Sequence, residues 1–246
     1  MLIRPSQRQA GLSLIEIMIA IVIGMLLIIA AASLGINAFK GARDSVRAVG
    51  FHGNLQDIMT IMGRELRRAG FNADGEDNTA TDSEYFRQIW FSSAASSGEY
   101  QCVVFRYDRN VPANINTPAP VTGAGTVSAN EVTGFSYNST NKQVLLLTGA
   151  ASINVQDCSS PTGWEVLNLT DNLSITNLKF TPSAIRAVDA SGNPTGPIMV
   201  QSVKIDITAA DPNGNTRTLS ETVQLRNLPA CPATATATGT TITKCD

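Results

Sequence analysis

The chain has 246 residues, enough for one or two compact domains with a real core, and carries a net charge of −2 with only 15% charged residues. That balance gives no footprint for nucleic acid. A single histidine, His52, leaves little material for histidine-based catalysis or a metal centre.

The first eleven residues, MLIRPSQRQAG, are polar and contain Arg4 and Arg8 without an acid. A basic stretch before an apolar run is expected to stay in the cytoplasm. The run that follows carries Glu16 near its start and no other charge from Ile17 to Phe39. Leu12 to Phe39 would measure roughly 42 Å as a helix, ample for a hydrocarbon core of about 30 Å. Three readings fit this arrangement: a cleaved secretory signal with Ala30-Ala31-Ala32 as its small-residue site, a plain membrane anchor, and a specialised leader whose apolar run stays with the mature protein.

Helical spacing continues past Phe39. Val46, Val49, Leu55, Ile58, Met62 and Leu66 recur at three- and four-residue intervals and predict an amphipathic stripe. Arg64, Arg67 and Arg68 stand where cations favour the helix dipole, and Gly70 is placed to cap the end. One helix from Leu12 to about Ala69 is therefore expected, with Gly24, Gly35, Gly50 and Gly53 as points where it bends or melts. His52 lies in that weak region, as a solvated or subunit-facing residue.

An acidic loop, Asn72 to Glu84, follows. Its carboxylates lack the ordered spacing of a calcium-binding loop, so a solvated connection is expected. Strand signals then dominate. "YQCVVFRYDRN" reads as a core strand, "NEVTGFSYNSTNKQVLLLTG" as a hairpin turning near Ser139–Asn141, and "GWEVLNLT" and "SITNLKFTPS" as two further strands. The clearest hairpin spans residues 200–227: Val203, Ile205 and Ile207 alternate, "DPNG" turns, and Leu219, Val223 and Leu225 answer. Such alternation implies a predominantly antiparallel sheet with one face covered, and the amphipathic half of the helix is the available cover. The expected class is α+β. The stretches "NVPANINTPAPVTGAGTVSA" and "VDASGNPTGP" are expected as surface connections, and the tail "CPATATATGTTITKCD" as a low-complexity end held by its cysteines.

Cys102, Cys158, Cys231 and Cys245 form neither a zinc pattern nor a C-x-x-C motif. In an oxidising compartment an even count reads as two disulfides. Four cysteines allow three connectivities, of which a short Cys231–Cys245 closure with a Cys102–Cys158 staple is favoured here.

"GLSLIE", Gly11 to Glu16, resembles the processing motif of type IV prepilins and of the type II secretion pseudopilins, with Leu12 in place of the usual Phe. The resemblance implies cleavage between Gly11 and Leu12 by a membrane prepilin peptidase, N-methylation of Leu12, and a pilin-like fold. It also implies a partner for Glu16: the amine of a neighbouring subunit, with the pair setting the step between adjacent helices. Snorkelling of Glu16 into headgroups is the other reading. "GRELRRAGF", the Cys-Val-Val-Phe-Arg-Tyr strand, "TDNLSITNLKF" and a hairpin ending Leu-Arg-Asn resemble PilW-type minor pilins and their J-type pseudopilin relatives.

That likeness divides the chain into a leader (1–11), a transmembrane and assembly half-helix (12–39), an amphipathic half-helix (40–70), a periplasmic or extracellular β domain (71–230) and a cysteine-closed tail (231–246). It implies an inner-membrane single-pass protein that moves into a filament near its tip. The partners implied are other minor pilins, the major pilin, the inner-membrane assembly platform, the peptidase and a tip adhesin. No serine elbow, Cys/His pair, phosphate loop or metal cluster is apparent in the sequence, so no catalytic role, cofactor or metal is expected. The resemblance leaves a J-type minor pseudopilin of a type II secretion system as the alternative to a pilus subunit; an ordinary anchored ligand-binding module, which would need neither Gly11 nor Glu16, is the remoter one.

Overall fold

A computed structural model describes residues 13–72, 86–96, 98–109, 128–159, 162–168, 173–188, 194–227 and 230–231. The acidic loop beyond Asn72, most of the connection from Asn110, and the tail with Cys245 lie outside the described residues. The chain divides into two compact units, Met1–Gly50 and Phe51–Asp246.

Helix α1 covers Leu14–Leu66 without interruption. The four glycines expected to weaken it are all helical. Each costs only about 1 kcal/mol relative to alanine, too little to break a helix of this length. Ser13 heads α1: its carbonyl accepts the N–H groups of Glu16 and Ile17 at 3.0 and 3.2 Å. After Leu66 the chain tightens into successive turns, and Gly70 adopts φ +80°, the left-handed conformation that glycine takes without steric cost. The predicted stripe is buried at Leu55, Ile58, Met62 and Leu66, but Val46 and Val49 are 73% and 71% exposed. Inward packing starts at Phe51 instead.

The strands, in chain order, are β1 (Ile89–Ser96), β2 (Glu99–Arg106), β3 (Val132–Asn138), β4 (Gln143–Leu147), β5 (Trp164–Val166), β6 (Ser174–Val188), β7 (Pro194–Ala210), β8 (Thr216–Gln224) and β9 (Ala230–Cys231). All pairings are antiparallel. The main path runs β5-β4-β3-β2-β6-β7-β8, with β1 on β2 and β9 on β7. Two meanders thus share one sheet, joined where Tyr100 of β2 meets Phe180 of β6. The α+β class expected from sequence is the one observed.

The 200–227 hairpin keeps its expected register, with Val203 opposite Val223 and Ile207 opposite Leu219. In its turn the Asp211 carboxylate accepts the N–H groups of Asn213 and Asn215, and Gly214 takes φ +85°. β6 and β7 extend further than the sequence indicated. Val188 pairs with Pro194, so "VDASGNPTGP" contributes strand at both ends rather than a simple connection. β1 and β9 were not anticipated. "IWFSSAAS" puts three bulky residues in a row and then only small ones, which is no alternation to detect.

One face of the sheet packs on the second part of α1. Leu55, Met62 and Leu66 join Val103, Phe105, Phe135, Phe180, Ile205 and Val223 in a single core. Gly63 allows the close approach: a Cβ there would lie 3.2 Å from Glu221 Oε1 and 3.6 Å from Val223 Cγ2. A second, smaller cluster forms on the other face from Trp90, Cys102, Val104, Val132, Leu147 and Ala150, with Val155, Cys158 and Trp164 against it. β2 is therefore covered on both sides, which is why its sequence runs apolar instead of alternating.

Candidate functional site: an exposed apolar helix and a clamped helix end

Between Leu14 and Phe39 α1 presents large apolar side chains in every direction, from Ile17 at 48% exposed to Leu14 at 76%. A helix apolar all round has no face suited to water and needs lipid or other helices as its surroundings. Among the described residues it is the one helix long and apolar enough to cross a membrane. Length, composition and position fit a membrane anchor, followed by a C-terminal soluble domain.

Glu16 stands exposed in the first turn of α1. Ser13 and Glu16 have the spacing of a capping box, and a carboxylate in the first turn complements the positive end of the helix dipole. The sequence reading assigned Glu16 only an intermolecular partner or headgroup contact; its place in the helix start adds a local role. Gly11 and Leu12 lie outside the described residues.

Cys102 and Cys158 are joined by a disulfide across 56 residues of sequence. It fastens the segment after β4 onto the outer face of β2, where Arg106 also donates to the carbonyl of Ile153. The backbone of Cys231 pairs with Ile198 in β9. Its side chain and Cys245 lie outside the described residues, and the expected Cys231–Cys245 closure with them.

The wording "GRELRRAGF" acquires a physical meaning at the other end of α1. Arg67 donates to Glu221 of β8 at 2.9 Å. Asn227 Nδ2 donates to the carbonyls of Arg68 and Ala69, closing the helix end from the Leu-Arg-Asn that finishes the long hairpin. Gly70 N–H donates to Arg106 O at 2.9 Å, and Asp108 N–H to Phe71 O at 2.8 Å, so the helix exit is stitched to the end of β2. Buried Glu65 accepts the Tyr107 hydroxyl at 2.6 Å and Arg64 Nε at 3.2 Å. Burial, then the bond to Glu65, pushes the Tyr107 phenol above its ordinary pKa. The sequence reading missed this corner; the signal present was an aromatic flanked by arginines in "FRYDRN", directly after a strand.

A model of the prokaryotic N-terminal methylation motif matches residues 6–32, a stretch that contains Gly11, Leu12 and Glu16. A second model, prepilin peptidase-dependent protein B, matches residues 44–225, about three-quarters of the chain. The chain belongs to the prepilin peptidase-dependent protein B family. No curated protein and no solved structure matches it. Membership in the family, with the methylation motif, makes it a pilin-like protein processed by prepilin peptidase, which fits a minor pilin and points to a structural subunit rather than an enzyme. It also sets the context as pilus assembly.

Proposed function

We propose that this chain is a minor type IV pilin of the PilW type, which joins a tip-proximal minor-pilin complex and primes assembly of a pilus serving adhesion, twitching motility or DNA uptake. The single observation that carries the reading is the all-round apolar, exposed helix that starts at the Ser13–Glu16 turn, inside the methylation-motif match. In this reading prepilin peptidase cuts between Gly11 and Leu12 and methylates the new amine of Leu12. Residues 12–39 form the transmembrane and assembly half of the helix, 40–70 its amphipathic half, 71–230 the periplasmic or extracellular β domain and 231–246 the cysteine-closed tail.

Glu16 would then lie at the edge of hydrocarbon, where an acid costs about 2.5–3.5 kcal/mol at the centre of a span on insertion scales. The terminal amine of a neighbouring subunit offsets that cost, because opposite charges in a helix bundle attract strongly. The partners are other minor pilins, the major pilin, the inner-membrane platform and a tip adhesin.

The test is the mass of the N-terminus together with incorporation into fibres. The native protein should begin at a methylated Leu12, and Gly11→Val should leave the precursor uncut. Glu16→Ala should be cleaved normally yet fail to enter sheared filaments, while Glu16→Asp should retain part of the activity. An uncut native chain, or full incorporation of Glu16→Ala, rejects the proposal.

A further inference from the structure

Beside the stitched helix end lies a cleft of about 490 Å³ lined by Arg68, Phe71, Tyr107, Asp108 and Arg109. Its volume is within the range that holds a small ligand group. Tyr107 forms the floor and is only 5% exposed. The Arg109 guanidinium lies 4.9 Å from the Tyr107 ring centre and that of Arg68 lies 5.7 Å from it. Phe71, 37% exposed, adds an apolar wall.

The four arginines of this corner are not equally engaged. Arg67 is held by Glu221 at 2.9 Å and Arg64 by Glu65 at 3.2 Å. Glu65 also takes the Tyr107 hydroxyl, and Arg68 keeps a polar contact to that hydroxyl and one of 3.8 Å to Glu65, which leaves the rest of its fork open. Among the described residues no ion pair holds the Arg109 guanidinium. Asp108 places a carboxylate in the wall, but that residue is buried and already partnered. Two guanidinium forks therefore flank one ring with donors to spare.

The frame beneath them is fixed. Arg109 N–H donates to buried Glu131 at 3.1 Å, and Glu131 in turn accepts Ser128 N–H and Oγ, each at 2.8 Å. The Tyr107 ring is pinned by its bond to Glu65, and the Phe71 and Asp108 backbones are joined. A site whose donors are already oriented binds without first paying to order them. Planar guanidinium groups match the plane of a carboxylate, and arginine, tyrosine and phenylalanine together are the composition of interface centres.

We propose that this cleft receives a carboxylate side chain from an acidic peptide segment of a second protein. A peptide fits better than an isolated anion such as phosphate, because the Phe71 and Tyr107 rings offer apolar surface for the methylenes on which a side-chain carboxylate is carried. The inference does not rest on entry into a filament, and its failure leaves the proposed processing and assembly untouched.

The experiment uses the full chain in detergent micelles and a fluorescein-labelled hexaglutamate peptide, with hexaglutamine as control. Hexaglutamate should bind and hexaglutamine should not. Arg109→Gln and Arg68→Gln should each weaken binding about tenfold, the loss expected for one charge-assisted bond. Arg109→Lys should fall between, since it keeps the charge and loses the fork. Thermal unfolding checks that each variant remains folded. Equal binding by wild type and Arg109→Gln, equal binding of both peptides, or no binding by wild type overturns the proposal. So does binding that appears only after Asp74, Glu76 and Asp77 are changed to amides, which would give the cleft to the chain's own acidic segment. Displacement of the peptide by equimolar inorganic phosphate would reassign it to a free anion.

Discussion

Residues 14–50 and residues 51–66 share one uninterrupted helix, and both are rich in Leu, Ile and Met, yet their surroundings differ. In the first stretch Leu14, Leu26 and Ile28 are 76%, 62% and 70% exposed. In the second Leu55, Met62 and Leu66 are fully buried, while Gln56 and Arg64 face water. What sets residues 14–39 apart from 51–66 is both a higher apolar content and its distribution all round the helix. A stripe specifies a partner on one side, which the sheet supplies, whereas an apolar cylinder specifies an apolar solvent. The first stretch calls for apolar surroundings, as a membrane anchor has; the second is finished by its own chain.

The sharpest way to break this contrast is a matched pair of truncations. Leu66→Ala removes a fully buried side chain and should lower the stability of the β domain by about 2.7–5 kcal/mol. Leu26→Ala should leave it within about 0.5 kcal/mol, because that side chain is exposed. Denaturant unfolding in detergent micelles, followed by near-ultraviolet circular dichroism, reads both. Comparable losses would mean the two stretches are not independent.

A second comparison sets the two sides of the sheet against each other. The inner face is held by a core of more than twenty side chains, the outer by a small cluster and the disulfide between Cys102 and Cys158. Closing a loop of 56 residues restricts the unfolded chain, for which measured effects are about 2–4 kcal/mol. Replacing both cysteines with alanine should cost that much and should raise proteolysis after β4 before the rest of the domain opens. Hydrogen exchange checks the order: residues 150–158 should lose protection first, and uniform loss would contradict a local staple.

The helix, its cap and the long hairpin were legible because each rests on local rules. The 3.6-residue stripe, the glycine at a left-handed position and the "DPNG" turn need no tertiary information. The methylation motif matched at residues 6–32 was legible in its wording. What could not be read depends on contacts between distant residues. Val46 and Val49 keep the helical spacing yet are exposed, since periodicity does not say where the sheet begins. β1 is strand because β2 offers it an edge, not because "SSAAS" favours extension. The Arg68–Tyr107–Arg109 cleft joins the end of α1 to the end of β2, and nothing in either stretch alone announces that they meet.

The smallest effect expected is also the most diagnostic of that meeting point. Tyr107 is protonated more firmly in the folded chain than in the unfolded one, first through burial and then through its bond to Glu65. A group whose folded pKa is raised contributes fully below its unfolded value, about 10 for tyrosine, and that contribution fades as pH climbs through the folded value. Stability should therefore fall above pH of about 10 faster than ionisation of solvated tyrosines accounts for. Tyr107→Phe should lose about 1–2 kcal/mol at neutral pH, where the hydroxyl's bond to a carboxylate is intact, and should lose less of its stability than wild type on going to alkaline pH. Asp206 gives the opposite limb. Burial pushes its carboxyl up, but the hydrogen bonds from Lys204 and Ser220 outweigh that and hold it low, so its contribution is present above about pH 4 and fades as pH falls. Titrating Tyr107→Phe beside wild type should show a flatter alkaline limb in the variant. An alkaline limb as steep as that of wild type would show that ionisation of the buried Tyr107 hydroxyl does not limit stability there.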